Sequence, residues 1–158
     1  MTDVAPTPRA SSTKRLEPLR HVDAGVLNSA YYEAGPAGGP AVMLLHGFPY
    51  DIHSFVDVAP ILVGQGCRVI VPYLRGYGPT LFRDKATPRS GEQAAVGADL
   101  MALMDALGIE RAVFAGYDCG GRAASVIYTH LALPTKLARE NCVVARSLAQ
   151  EHVMMVRL

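Results

Sequence analysis

Arg111-Ala112-Val113-Phe114-Ala115-Gly116-Tyr117-Asp118-Cys119-Gly120-Gly121 reads as an apolar strand that delivers an acidic side chain onto a tight turn. A side chain displayed at the tip of a sharp strand-to-helix turn sits on strained backbone. The residues two before and two after it crowd each other unless both are small. Gly116 and Gly120 meet that need for Asp118. Cys119 competes as a nucleophile because thiolates attack well, but that register sets bulky Tyr117 where a small residue is required. An aspartate, with an ordinary pKa of about 3.9, is already ionised at neutral pH. Asp118 would therefore attack an electrophilic carbon without help from a base and form an ester. The competing reading is a Gly-rich turn on which Asp118 caps the next helix.

Upstream, Ala41-Val42-Met43-Leu44-Leu45 is a continuous apolar run of the kind a buried parallel strand shows, and it ends in His46-Gly47-Phe48-Pro49. On a nucleophile elbow, one N–H of the oxyanion hole comes from the residue after the nucleophile, here Cys119. The other comes from a loop after an earlier strand, here Phe48, with Gly47 allowing close approach of backbone. Taken alone, His46-Gly47 also reads as a strand-ending turn and Pro49 as a helix-entry residue.

His46-Gly47-Phe48-Pro49, Arg75-Gly76-Tyr77-Gly78 and Gly116-Tyr117-Asp118-Cys119-Gly120-Gly121, in this order and at these separations, resemble the α/β-hydrolase superfamily. An acidic elbow followed by Gly-Gly is similar to the epoxide hydrolase and haloalkane dehalogenase branch, where esterases and lipases carry Ser. The resemblance covers about residues 31–126. Relatives usually have Trp where this chain has Cys119, and a Trp N–H is commonly a halide ligand in dehalogenases, so the departure weakens the case for a halide site.

The intervening sequence agrees with a βαβ architecture. Residues 54–63 place Phe55, Val58, Ile61 and Leu62 at helical spacing, and Arg68-Val69-Ile70-Val71-Pro72 reads as a further buried strand. Residues 90–107 carry Ala94, Val96, Leu100, Leu103, Met104 and Leu107 and stop at Gly108, which predicts a helix leading into the elbow strand. Alternating strands and helices predict an α/β fold, a mostly parallel sheet flanked by helices, with ligands at the carboxyl ends of the strands. Residues 26–33 read as an antiparallel strand at the sheet margin, followed by the turn cluster Gly35-Pro36-Ala37-Gly38-Gly39-Pro40.

Half of the 158 residues are apolar and the formal net charge is +1, with no stretch apolar and long enough to span a bilayer. No basic patch suggests a nucleic-acid partner, and the resemblance implies a small, apolar, electrophilic substrate as the partner. Cys67, Cys119 and Cys142 form an odd set without C-x-x-C spacing, which disfavours a disulfide framework or zinc site and fits a reducing, cytoplasmic setting. Neither metal cluster nor phosphate-cradling Gly loop is legible, and ester formation on Asp118 requires no cofactor.

Three segments are expected: a disordered arm at 1–15, the hydrolase-like region at 16–127, and a tail at 128–158 that departs from the family pattern. Pro134 breaks the elbow helix, and Val143, Val144, Leu148 and Met155 give the tail weak helical spacing. A truncated or frame-disrupted copy with a foreign end and a divergent native tail both fit this loss of pattern. A complete family member has roughly 250 to 300 residues by resemblance. It adds later strands, a helical cap with tyrosines that hold the epoxide oxygen, and a carboxylate-oriented histidine that activates water. None of His21, His46, His53, His130 and His152 matches that histidine, though His53 could approach the mouth of the pocket. Without the later strands, Val113 and Phe114 would lie on an open sheet edge prone to self-association unless Val143-Val144 or Val153-Met154-Met155-Val156 covers it.

Two functional classes follow. One is a hydrolase of the epoxide-hydrolase type in which Asp118 attacks a carbon while the Phe48 and Cys119 N–H groups hold the later oxyanion, with haloalkane dehalogenation as a variant. The other is a hydrolase-like fragment or interaction module without turnover. Tyr50, Phe82 and Tyr117 are candidates for an apolar pocket or for ordinary packing.

Overall fold

The computed structural model describes residues 14–127, 144–146 and 151–157. One mixed sheet runs in the order β1-β2-β4-β3-β6-β8-β7, with the two-residue strand β5 (Leu81–Phe82) beside β2. Its strands are β1 (Leu19–Ala24), β2 (Leu27–Ala34), β3 (Ala41–Leu45), β4 (Arg68–Pro72), β6 (Arg111–Tyr117), β7 (Val144–Arg146) and β8 (Glu151–Arg157). The parallel part is β4, β3 and β6, and every other pairing is antiparallel. Helices α1 (Val58–Gly64), α2 (Gln93–Ala106) and α3 (Asp118–Val126) connect or follow these strands.

The parallel strands read as unbroken apolar runs because both faces of the sheet are covered. Met43, Leu45, Ile70 and Phe114 point into a core closed by Val96, Leu100, Leu103 and Met104 of α2 and by Ala123 and Ala124 of α3. Val42, Leu44, Val69 and Val71 point to the opposite face, against Ile52, Phe55 and Ala59. The register pairs Leu45 with Gly116, so the loops after β3 and β6 leave the sheet side by side.

Departures from the sequence reading have local causes. The helix expected over 54–63 is split into a 3-10 turn (Ile52–Phe55) and α1. Pro60 lacks the N–H that a continuous helix would need there, and Asp51 caps the first turn by accepting from His53 N–H at 2.8 Å. The restart rotates the buried face, which leaves Val58 and Ile61 exposed. Helix α2 starts at Gln93 rather than near Ser90, because the Ser90 carbonyl accepts from Arg75 at 2.8 Å and its hydroxyl accepts from Glu92 N–H at 3.2 Å. Strand β1 has no counterpart in the sequence reading. Its polar Arg20, His21 and Asp23 belong to an outer strand, hairpinned onto β2 through Gly25 at φ 55°.

The tail corrects two expectations. Residues 144–146 and 151–157 form strands rather than helix, and β8 pairs antiparallel with the whole of β6, from Arg111↔Arg157 to Tyr117↔Glu151. The free N–H and C=O groups of β6 offer a template that the run Val153-Met154-Met155-Val156 is suited to satisfy. The edge on Val113 and Phe114 is therefore paired and does not provide the self-association surface anticipated; the outer strand on this side is β7. The arm at 1–13, the break at Pro134, His130 and Leu148 lie outside the described residues.

Candidate active site

Among the described residues, Asp118 is the one non-glycine with positive φ, at 49°. A side chain in the left-handed region is strained, and that strain lifts Asp118 off the end of β6. A Cβ on Gly116 would stand 2.7 Å from the Leu45 carbonyl oxygen and 3.1 Å from the Gly120 carbonyl carbon. One on Gly120 would meet the Leu45 and His46 carbonyl oxygens at 2.4 and 2.6 Å. The crowding foreseen between the two glycines exists, yet the tighter limit comes from the backbone of β3. Tyr117, not Asp118, takes the capping position of α3, and Asp118 is the first helical residue.

The Asp118 carboxylate is instead held from the neighbouring loop. Phe48 N–H donates to Asp118 Oδ2 at 3.0 Å. Gly47 makes this approach possible, since a Cβ there would lie 2.7 Å from Asp118 Cβ and 2.8 Å from the Tyr117 ring. The Phe48 N–H, the Cys119 side chain and the Cys119 N–H together hold the Asp118 carboxyl below the ordinary aspartate value; partial desolvation opposes them and the Arg122 charge assists. Burial pushes the Cys119 thiol up, and the adjacent Asp118 carboxylate adds to the effect, so the thiol stays protonated and a poor nucleophile. Structure thus brings Asp118, Phe48 and Cys119 together. Arg122 joins them with Nη2 3.8 Å from Asp118 Oδ1, a neighbour that i,i+4 spacing on α3 makes legible but that the motif reading passed over.

His46 fastens this loop to the next one. Its ring is fully buried, Nε2 accepts from Leu74 N–H at 3.2 Å, and Nδ1 lies 3.4 Å from the Gly47 carbonyl oxygen. Those partners fit the neutral ring with its proton on Nδ1, and burial lowers its pKa despite the Gly47 carbonyl and Asp51, which raise it. Tyr77 packs edge-on against it at 4.6 Å between ring centroids. Arg75 is structural as well: its guanidinium grips Asp99 through two bonds of 2.6 and 2.7 Å and also bonds the Ser90 and Ala95 carbonyls.

The remaining candidates separate. His53 Nδ1 lies 3.0 Å from Asp51 Oδ1. His21 sits on β1 beside Asn28. Tyr117 packs on Phe55 and its hydroxyl shares a 2.7 Å hydrogen bond with Ser54. Phe82 lies under Arg89, with the guanidinium carbon 4.0 Å from the ring centroid. Tyr50 remains exposed, as does Phe48, beside the carboxylate. His152 occupies the position on β8 paired with Gly116. No group of three or more potential metal-binding side chains occurs among the described residues.

A carboxylate on a strained turn with a backbone donor at hydrogen-bond distance has the geometry of a candidate nucleophile-elbow site on an α/β sheet. Residues 40–139 match the family model of the alpha/beta hydrolase fold, and the chain belongs to that family. It is 39% identical over 101 residues to epoxide hydrolase A of Mycobacterium tuberculosis, covering 64% of this chain and 31% of that protein. It is 40% identical over 86 residues to a fluoroacetate dehalogenase from Burkholderia, covering 53% and 28%. Among solved structures, epoxide hydrolase A of Mycobacterium thermoresistibile superposes with a TM-score of 0.62 at 34% identity, covering 77% of this chain and 37% of that one. A Klebsiella pneumoniae protein provisionally described as an epoxide hydrolase gives 0.72 at 47%, covering 76% and 40%. The chain is thus epoxide-hydrolase-like and spans about a third of the length of the curated relatives it matches.

Proposed function

We propose that the chain carries the nucleophilic half of an epoxide hydrolase. Asp118 Oδ1 attacks a ring carbon of a small epoxide, the carbon–oxygen bond breaks, and the alkoxide takes a proton from water, leaving an alkyl ester on the enzyme. The observation that carries this reading is the 3.0 Å bond from Phe48 N–H to Oδ2. The oxygen that would become the oxyanion during ester hydrolysis already rests at a donor, within the 2.7–3.1 Å range such donors require. The Cys119 N–H supplies the second donor.

We further propose that this chain, as it stands, stalls at the ester. His46 has both ring nitrogens engaged inside the protein, and His53 Nε2 is enclosed without a partner among the described residues. Intact-mass measurement after incubation with a reactive epoxide is expected to show one stable adduct on Asp118, absent in Asp118→Asn. Sustained diol release would overturn the stall and favour β8 as the source of a base, through His152 opposite Gly116. No adduct and no diol would favour the inert-fragment reading. Because its hydrogen bonds hold the Asp118 carboxyl low, adduct formation should stay level from neutral pH downward. It should decline only below about pH 4.

A further inference from the structure

The geometry points to Tyr117 as a positioning residue: its hydroxyl, tied to Ser54, and its ring, laid on Gly47, hold the loop that presents the Phe48 N–H to Asp118. The role rests on Asp118 acting as the nucleophile proposed above.

The donor loop needs such a support. Phe48 and Tyr50 stand out from it, 69% and 67% exposed, so burial of these side chains does little to anchor it. At its start His46 is fixed by the Leu74 N–H. At its far end the 3-10 turn Ile52–Phe55 carries Ser54, whose single hydroxyl proton goes to the Asp51 carbonyl at 2.8 Å. The 2.7 Å bond between Ser54 Oγ and the Tyr117 hydroxyl is therefore donated by Tyr117. The same side chain meets the loop twice more. Its ring packs on Phe55 with centroids 6.0 Å apart, and it lies so near Gly47 that a Cβ there would stand 2.8 and 2.9 Å from two ring carbons. Its backbone immediately precedes the nucleophile, at the capping position of α3. One side chain thus braces residues 47–55 from the strand that carries Asp118, and the 3.0 Å bond from Phe48 N–H to Oδ2 lies inside that span.

Placement of this donor matters at one step more than at the other. During attack on an epoxide the Asp118 carboxylate loses charge, so a donor on Oδ2 favours the ground state and does nothing to speed ester formation. When the ester is cleaved, negative charge gathers on Oδ2, and a donor fixed at that point stabilises it. Loosening the tie between Tyr117 and Ser54 should therefore slow cleavage of the ester relative to its formation. General damage to the fold would slow both.

Hydroxylamine supplies a cleaving step for the stalled ester. Its nitrogen attacks the Asp118 ester carbon and the bond to the alkyl oxygen breaks. That oxygen takes a proton from the nitrogen and leaves as the diol, while Asp118 remains as a hydroxamate. Mass spectrometry on the full chain follows formation of the Asp118 ester from propylene oxide and, after excess epoxide is removed, its loss to hydroxylamine. Tyr117→Phe removes the hydroxyl alone and should lower the cleavage-to-formation ratio about tenfold, less than the roughly 10²–10³-fold lost when an oxyanion donor is deleted outright. Ser54→Ala, at an exposed position, should lower it equally, and the two changes together no further than either alone. Ser54→Thr keeps the hydroxyl and should keep the ratio. Circular dichroism of each variant confirms folding. An unchanged ratio in Tyr117→Phe, or two losses that simply add, overturns the positioning role while ester on Asp118 sustains the nucleophile. No ester on the wild-type chain overturns both. If the wild-type ester discharges in water alone, that rate replaces the hydroxylamine rate and the same comparison decides.

Discussion

Gly120 shows how little space the site leaves. The nearest atoms to an added Cβ are the Leu45 and His46 carbonyl oxygens, which are backbone and cannot rotate away. Gly120→Ala should therefore lose about 3 kcal/mol or more in urea unfolding, at the upper end of overpacking costs, and abolish labelling of Asp118. His46 yields a prediction in pH. Its folded pKa lies below its unfolded value of about 6.5, so between those two values the unfolded chain binds the extra proton and stability rises with pH. Unfolding free energy should fall as pH drops from 6.5 toward the folded pKa, by up to about 1.4 kcal/mol per unit from this group. His46→Asn should flatten that slope; an unchanged slope would assign it to other residues. At this scale the sequence was most legible, because Gly116, Asp118 and Gly120 announce a turn through spacing alone. Arg122 was harder to see, since a polar residue on a helix gains a reading only once its neighbour Asp118, one turn earlier, is placed.

Elements were legible wherever both faces are buried. The runs at β3, β4 and β6 stand out by hydrophobicity, and α2 by period, because burial demands those patterns. Strand β1 carries charge on an outer edge and gives no such signal, and the helical spacing of Phe55, Val58, Ile61 and Leu62 masked the division of 52–64 into a 3-10 turn and α1. Arg75 and Asp99 link the loop after β4 to α2, with side chains 8% and 11% exposed. Removing one partner strands the other charge in the interior, so Asp99→Ala should destabilise the fold by about 3–5 kcal/mol, measured by denaturant titration. Joint replacement by Arg75→Met and Asp99→Leu should cost less than Asp99→Ala alone, because no lone charge remains.

For the whole molecule, the pairing of β8 with β6 decides how the sheet ends. A chain shortened before residue 147 would expose the β6 ladder across Val113 and Phe114. It should elute as larger species in light-scattering chromatography, whereas the full chain should not gain mass through that edge. A monomeric shortened chain would show that β8 is dispensable. The sequence hinted at this partner through Val153-Met154-Met155-Val156, but strand pairing across so long a separation depends on which edge is vacant. A residue pattern does not reveal that.

The register Leu45↔Gly116 has a practical use beyond folding. Phe48 lies three residues past Leu45 and Asp118 two past Gly116, and their 3.0 Å contact exists only while both strands stand level. A slip of one residue displaces a strand by about 3.3 Å, more than a hydrogen bond can follow. The Phe48 amide proton is consequently a built-in gauge. Its resonance in an NMR spectrum, shifted by the carboxylate while the strands are aligned and released when they part, would report the alignment of the central sheet at a single nucleus.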